Sequence, residues 1–197
     1  MELDHLVVTC AELADGRAWV EERLGVPMQE GGRHAAMGTW NALLSLGPNA
    51  YLDVIAPDPG APDPGRPRWF ALDRRAGPAL TNWMVRTDDL DAALGRAPSG
   101  IGTPTRMSRG ALSWRVCLPA DGELPLDGAF PGLLQWDGAH PAPGLADRGC
   151  RLSRLEVSAP DPAALAPLGL DDPRIVLAEG PASLRATIVT PHGPRTL

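Results

Sequence analysis

The chain contains no lysine. All 18 of its basic residues are arginine, so neither a lysine Schiff base nor a catalytic lysine amine is open to it. Cysteine is scarce as well. Cys10, Cys117 and Cys150 lie far apart with no C-x-x-C pair, a spacing that suits buried thiols in a reducing cytoplasm better than a disulfide framework. No apolar run approaches the roughly 20 residues needed to span a bilayer. The N-terminus has neither the basic segment nor the long apolar region of a signal peptide. The expectation is a soluble cytoplasmic protein with no membrane partner. Positive charge is not in excess: the net charge is -6, so the electrostatic footprint of a nucleic-acid binder is missing. No G-x-S-x-G, H-E-x-x-H, Rossmann or phosphate-loop fingerprint occurs, and no organic cofactor is expected.

What the chain does have is a hydrophobic content of 44% over 197 residues. That is ordinary for a globular protein and enough for a real core, in one domain or two small ones. Its opening stretch sets the pattern. Leu3, Leu6, Val7 and Val8 form a short apolar run with His5 inside it. Thr9 and Glu12 then have capping-box spacing, Leu13, Ala14, Val20 and Leu24 recur on one helical face, and Gly25 stands where a glycine ends a helix. A short strand near Met28 precedes two β-like runs, Trp40 to Leu46 and Tyr51 to Ala56, joined by the turn residues Gly47-Pro48-Asn49. The unit reads as strand, helix, then hairpin. Its first strand carries His5 and its last carries Asp53, both polar residues in apolar runs, where a polar group needs a reason.

After the proline- and glycine-rich segment that follows Asp58, the pattern restarts. Leu80 to Val85 matches the opening run, Thr87 to Arg96 reads as a helix start and helix, Ala111 to Leu118 as a strand, and Gly132 to Trp136 as a last strand. In this register Asn82 falls on His5 and Gln135 on Asp53. A third, shortened copy begins with Leu152 to Val157, continues through Pro160 to Leu165, and repeats the hairpin turn at Glu179 to Leu184; here Arg154 falls on His5. Repetition of this kind means that one copy cannot bury its sheet face alone and needs a neighbour.

A βαβββ unit with a histidine in the first strand and a carboxylate in the last resembles the vicinal oxygen chelate superfamily. More narrowly, LDHLVV, GGRHAAMGTWN, YLDVIAPDP and LLQWDGAHP are similar to the bacterial glyoxalase-like domain proteins. The resemblance implies an α+β fold in which repeated βαβββ modules form a cupped mixed sheet with helices on its outer face. It implies one such domain over 1–197, with modules near 1–58, 78–138 and a shortened 150–192. It also implies a small-molecule ligand and a divalent metal (Zn, Mn, Fe or Ni) held by His5 and Asp53, with Gln135 as third ligand. Asn82 and Gln135 are neutral amides at positions where the superfamily usually keeps a histidine and glutamates, and such amides bind these metals more weakly. His34, beside Gly31-Gly32, becomes the candidate base, and Asn82, Trp40 and Gln135 become substrate contacts.

Two functions stay open on these residues. In one, the protein is a metal-dependent lyase, isomerase or dioxygenase whose metal chelates adjacent substrate oxygens and stabilises an enolate. In the other, it binds or sequesters a small molecule without a metal, using its tryptophans as apolar surface. Plainer uses exist for the same side chains: His5 donating to a backbone carbonyl, Asp53 pairing with an arginine, the tryptophans filling a core. The expected geometry is that His5, Asp53 and Gln135 converge on one cavity, with His5 on the concave side and Asp4 and Leu6 facing away. Arg154 meets His5 only if modules one and three pair. The leftover third module predicts a homodimer through its free sheet edge.

Overall fold

The apolar opening run becomes the middle of a sheet, because a strand buried on both faces must be apolar nearly throughout. In the computed structural model, which describes residues 1–197, this run is β1 (Glu2–Thr9). It is followed by α1 (Leu13–Leu24), β2 (Gln29–His34), β3 (Thr39–Ser45) and β4 (Tyr51–Pro57). The order repeats in β5 (Ala79–Arg86), α2 (Leu90–Leu94), β6 (Thr103–Arg109), β7 (Leu112–Leu118) and β8 (Gly132–Trp136). All eight strands form one mixed sheet, ordered β2-β3-β4-β1-β5-β8-β7-β6. β1 runs parallel to β4 and antiparallel to β5, so modules one and two join through their first strands. The polar strands β2 and β6 fall at the two edges, where exposed backbone is tolerated. The sheet curls until those edges meet: a Cβ on Gly32 of β2 would lie 2.8 Å from Cδ of Arg109 on β6. The result is a half-barrel with a concave face.

The third unit departs from the expected copy. Strands β9 (Arg151–Ala159), β10 (Ile175–Glu179), β11 (Ser183–Thr190) and β12 (Gly193–Thr196) make a separate sheet, ordered β10-β9-β11-β12. β10 lies parallel to β9 and β11 antiparallel on its other side, so the hairpin expected around Gly180-Pro181 does not form. Turn residues decide where a chain bends but not which strands pair. The helix of this unit is a 3-10 segment, Pro162–Leu168, with Pro167 inside it, where proline removes a backbone donor. Leu152, Leu155, Val157 and Ile188 join the same core as Leu6 and Val8 of β1. Because module one pairs with module two, Arg154 stays remote from His5; it is exposed and bonded to Glu156.

Local signals behave unevenly. Gly25 ends α1 with φ 71°, and its N–H reaches the Glu21 carbonyl. The capping box does not form: Glu12 is the N-cap residue, and Thr9 remains in β1 with its hydroxyl on Thr81, 3.0 Å away. The three cysteines are free and buried. No helix is long and apolar enough to cross a membrane.

One glycine sets how closely helix and sheet approach. A Cβ on Gly16 of α1 would meet Cys10 Sγ at 2.3 Å and Val54 Cγ1 at 2.7 Å. Gly16→Ala gains about 1 kcal/mol of helix propensity, whereas overpacking a tight core costs about 1–3 kcal/mol. The expected outcome is a net loss, seen as a lower urea midpoint; an unchanged or higher midpoint would show that α1 is free to shift outward.

Candidate active site

The concave face holds a small cavity lined by 14 residues. Module one supplies most of its polar groups: His5 from β1, His34 from β2, Asn41 from β3, and Tyr51 and Asp53 from β4. Module two supplies apolar wall, with Met84 from β5, Trp114 and Val116 from β7, and Leu134 and Trp136 from β8. It adds one charge, Arg109 from the end of β6. The segment joining the modules closes the rim with Trp69 and Phe70. Phe70 and Ala71 have left-handed φ values of 60° and 51°, and are held there by Ala71 N–H on the Gly122 carbonyl and Arg75 Nε on the Phe70 carbonyl.

His5 is fixed by a residue that a simple strand would turn away from it. The β1–β5 register slips between Leu3 and His5, a bulge that leaves one residue unpaired and re-aims its neighbour. Asp4 and His5 therefore meet, with His5 Nδ1 donating to Asp4 Oδ1 at 2.6 Å. Asp4 is wholly buried, and its Oδ2 accepts from Trp136 Nε1 at 2.9 Å and His140 Nε2 at 3.0 Å. Burial opposes the charge on Asp4, but the hydrogen bonds from His140 and His5 outweigh it and hold the carboxyl well below the usual range. With Nδ1 committed to Asp4, His5 keeps its Nε2 lone pair. Its ring stacks on Tyr51, the centroids 4.5 Å apart.

Across the cavity a second chain links the two sheet edges. Arg109 donates to His34 Nε2 at 3.1 Å and to Asn41 Oδ1 at 2.9 Å, and Asn41 Nδ2 donates to Asp53 Oδ1 at 2.9 Å. The Asn41 oxygen also accepts the Gly32 N–H, so both ends of this amide are satisfied. Burial raises the Asp53 carboxyl, with the charges of His5 and Arg109 and the Asn41 bond pulling the other way. Burial lowers His34 to about 3, helped by repulsion from Arg109 and His5. His34 is neutral, and its one lone pair is engaged by Arg109, which disfavours the part of base expected for it.

His5, Asp53 and His34 line one cavity, and Gln135, Asn82 and Trp40 lie outside it. Gln135 faces outward and caps α2, accepting from Leu90 N–H and donating to the Asp88 carbonyl. Its neighbours Leu134 and Trp136 point inward, since a one-residue slip in register turns every side chain to the opposite face. Asn82 is buried behind the loop after β7, donating to the Gly128 carbonyl, with its Oδ1 unpartnered. Trp40 lines a separate groove beside α1, under the Arg33 guanidinium. Asn41 and Arg109 carry no signal in the sequence, Asp4 is the neighbour expected to face away, and His140 reads there as a loop residue; the bulge and the curl of the sheet bring them to His5 and the cavity. Zinc sites take three or four protein ligands, and iron sites of the facial-triad kind take three. His5 and Asp53 are the two free donors here, no group of three His, Cys, Asp or Glu residues is placed to hold a metal, and Arg109 already sets a positive charge among them. The residues present do not fit such an ion.

The state of His34 has a measurable effect. An unfolded histidine titrates near 6.5, whereas folded His34 stays neutral down to about 3. Between those values the unfolded chain binds the extra proton, so this stabilisation is complete above about pH 6.5 and is lost as pH falls toward 3. Each unit within the window is worth up to about 1.4 kcal/mol. Urea midpoints at pH 7 and pH 4.5 are expected to differ less for His34→Gln than for the wild type; equal differences would mean that His34 is not held neutral.

The model of the glyoxalase-like domain family matches residues 3–170. No functionally curated protein matches the chain significantly. Among solved structures, a hypothetical protein from Staphylococcus aureus superposes with a TM-score of 0.62, covering 92% of this chain and 87% of its own, at 13% identity. That is a likeness of fold. A methylmalonyl-CoA epimerase from Mycobacterium tuberculosis is 24% identical, with a TM-score of 0.44 over 70% of this chain and 87% of its own. A variant of the Streptomyces coelicolor methylmalonyl-CoA epimerase, solved with 2-nitronate-propionyl-CoA, is 14% identical with a TM-score of 0.45 over 70% and 95%. The family match runs through all eight strands of the larger sheet and β9, and the chain belongs to the glyoxalase-like domain family.

Proposed function

We propose that the cavity performs metal-independent acid–base chemistry on a small oxo acid, with His5 as base and Arg109 as the fixed positive charge. The observation that carries this reading is the His5–Asp4 pair: Nδ1 is held by a buried carboxylate, which leaves Nε2 as a lone pair among the cavity walls. A base held in one tautomer by a carboxylate is suited to removing a proton from carbon beside a carbonyl. The electron pair of the broken C–H bond moves onto the carbonyl oxygen, and a guanidinium stabilises the enolate without any metal. Return of the proton from His5 to another position of the enolate completes an isomerisation that needs no oxidant or co-reactant. Asp53, its carboxyl pushed up by burial and held by Asn41, faces the same cavity. His34 serves as the acceptor that orients Arg109.

The test is hydrogen exchange at C3 of phenylpyruvate in D₂O, followed by proton NMR with EDTA present. Wild-type protein is expected to accelerate exchange, and His5→Gln to lose roughly 100- to 10,000-fold, the usual range for a general base. Arg109→Gln should lose rate at saturating substrate as well as affinity. A dependence on added metal, or full activity in His5→Gln, overturns the reading. A second reading rests on the walls, nine of whose 14 residues are hydrophobic: retention of a flat ring without chemistry. It predicts quenching of tryptophan fluorescence by phenylpyruvate with no exchange, and loss of that quenching in Trp136→Leu.

A further inference from the structure

We infer that His140, from the loop after β8, is a positioning residue that holds His5 in its base-competent tautomer through Asp4. The proposal rests on the reading of His5 as a base, but its evidence is independent of any substrate. His140 lies outside the cavity, in a surface groove with Pro48, Asn49 and Arg86, and Trp136 lines both spaces. Its tautomer can be read from its partners. The N–H of Ala142 points at His140 Nδ1 from 3.2 Å, so Nδ1 is an acceptor. The ring proton then belongs to Nε2, which donates to Asp4 Oδ2 at 3.0 Å. Trp136 Nε1 has only a proton to give and donates to the same oxygen. Asp4 is thus surrounded by donors on one side and cannot be the donor there. On its other side it accepts from His5 Nδ1–H at 2.6 Å. The backbone of Ala142 in effect sets the proton position on His5, two rings away.

Removing the His140 donor leaves Oδ2 with Trp136 and a distant Arg86 nitrogen at 3.5 Å. A carboxylate that loses one of its anchoring donors is free to turn, and Oδ1 is then no longer fixed against His5 Nδ1. With that acceptor lost, His5 is free to carry its proton on Nε2, facing the cavity, where it is no longer a base. The groups that bear on this equilibrium are few. Asp4 faces His5, His140, Arg86, Trp136 and the Tyr51 hydroxyl, and Arg86 also pairs with Glu2. On the cavity side His5 faces Asp53 and His34, with Arg109 beyond them.

The experiment is long-range proton–nitrogen correlation on protein with labelled histidines, of which the chain has four. In the wild type His5 is expected as the Nδ1–H tautomer and His140 as the Nε2–H tautomer across neutral pH; the opposite tautomer at either ring overturns the proposal at once, with no variant needed. His140→Phe keeps an aromatic ring against Tyr51 and Trp136 but has no donor. It should move His5 toward the Nε2–H form at neutral pH. His140→Gln keeps an N–H for Asp4 and should restore the wild-type spectrum. If both variants leave the His5 tautomer unchanged, or shift it equally, His140 is a packing residue only. This readout separates the two claims. Loss of the Nδ1–H tautomer in His140→Phe without any exchange activity in the wild type would sink the proposed reaction and leave the positioning role standing. Exchange activity that is unaffected by His140→Phe, with an unmoved tautomer, would do the reverse.

Discussion

A negative charge sits in the middle of this protein, on the central strand of the larger sheet, and the surrounding structure is arranged to hold it. A buried carboxylate without partners is very costly, so burial is tolerated only with several donors in place. Asp4 draws them from three places: His5 beside it on β1, Trp136 on β8, and His140 on the loop beyond. Strand β8 and that loop are brought against β1 only when module two docks on module one. The charge therefore rewards correct pairing of the modules and penalises any other. Such a group is weak as a source of net stability but effective as a selector among arrangements.

The two modules have divided their labour. In a symmetric pair, each would bring donors to the cavity from its first and last strands. Here module one keeps His5 and Asp53, while module two offers Met84, Leu134 and Trp136 at the facing positions and contributes a charge from its edge strand. Arg109 reaches across the gap between β6 and β2, so the guanidinium stands in the cavity and also ties the two edges of the curled sheet together. A permanent cation suits this double duty, because its planar fork can bind two acceptors at once in fixed geometry. The same placement makes the cavity unsuited to a divalent ion.

Much of the fold was legible in the residues, and much of the site was not. The β1 run, the β3–β4 hairpin with its Gly47-Pro48-Asn49 turn, and the Gly25 stop are local signals, and local chemistry decides them. His5 and Asp53 were visible because a polar residue inside an apolar run is rare. Asp4 was hidden because period-two reasoning places neighbours on opposite faces, and a bulge is not written in the sequence of the strand that carries it. Laying LLQW on YLDV puts Gln135 opposite Asp53, but the pleat of β8, not the match of positions along the repeat, decides which side chain looks inward. Arg109 belongs to a strand with little apolar pattern, since edge strands are polar, and its importance comes from curvature that only the closed sheet possesses. The third unit kept the residue pattern of a module yet pairs its strands in another order, because burial against an existing core allows more than one solution.

The segment between the modules is more than a tether. Trp69 and Phe70 close the cavity rim, and the backbone there takes two successive left-handed residues that side chains disfavour, a strain of about 1–3 kcal/mol each. Such a conformation lasts only where both of its ends are anchored, here through Gly122 on one side and Arg75 on the other. Covalent continuity and cavity shape are thus the same feature. Two halves expressed as separate chains could rebuild the sheet by pairing β1 with β5, yet they would do so around an open trough, because nothing would bend the rim back over it.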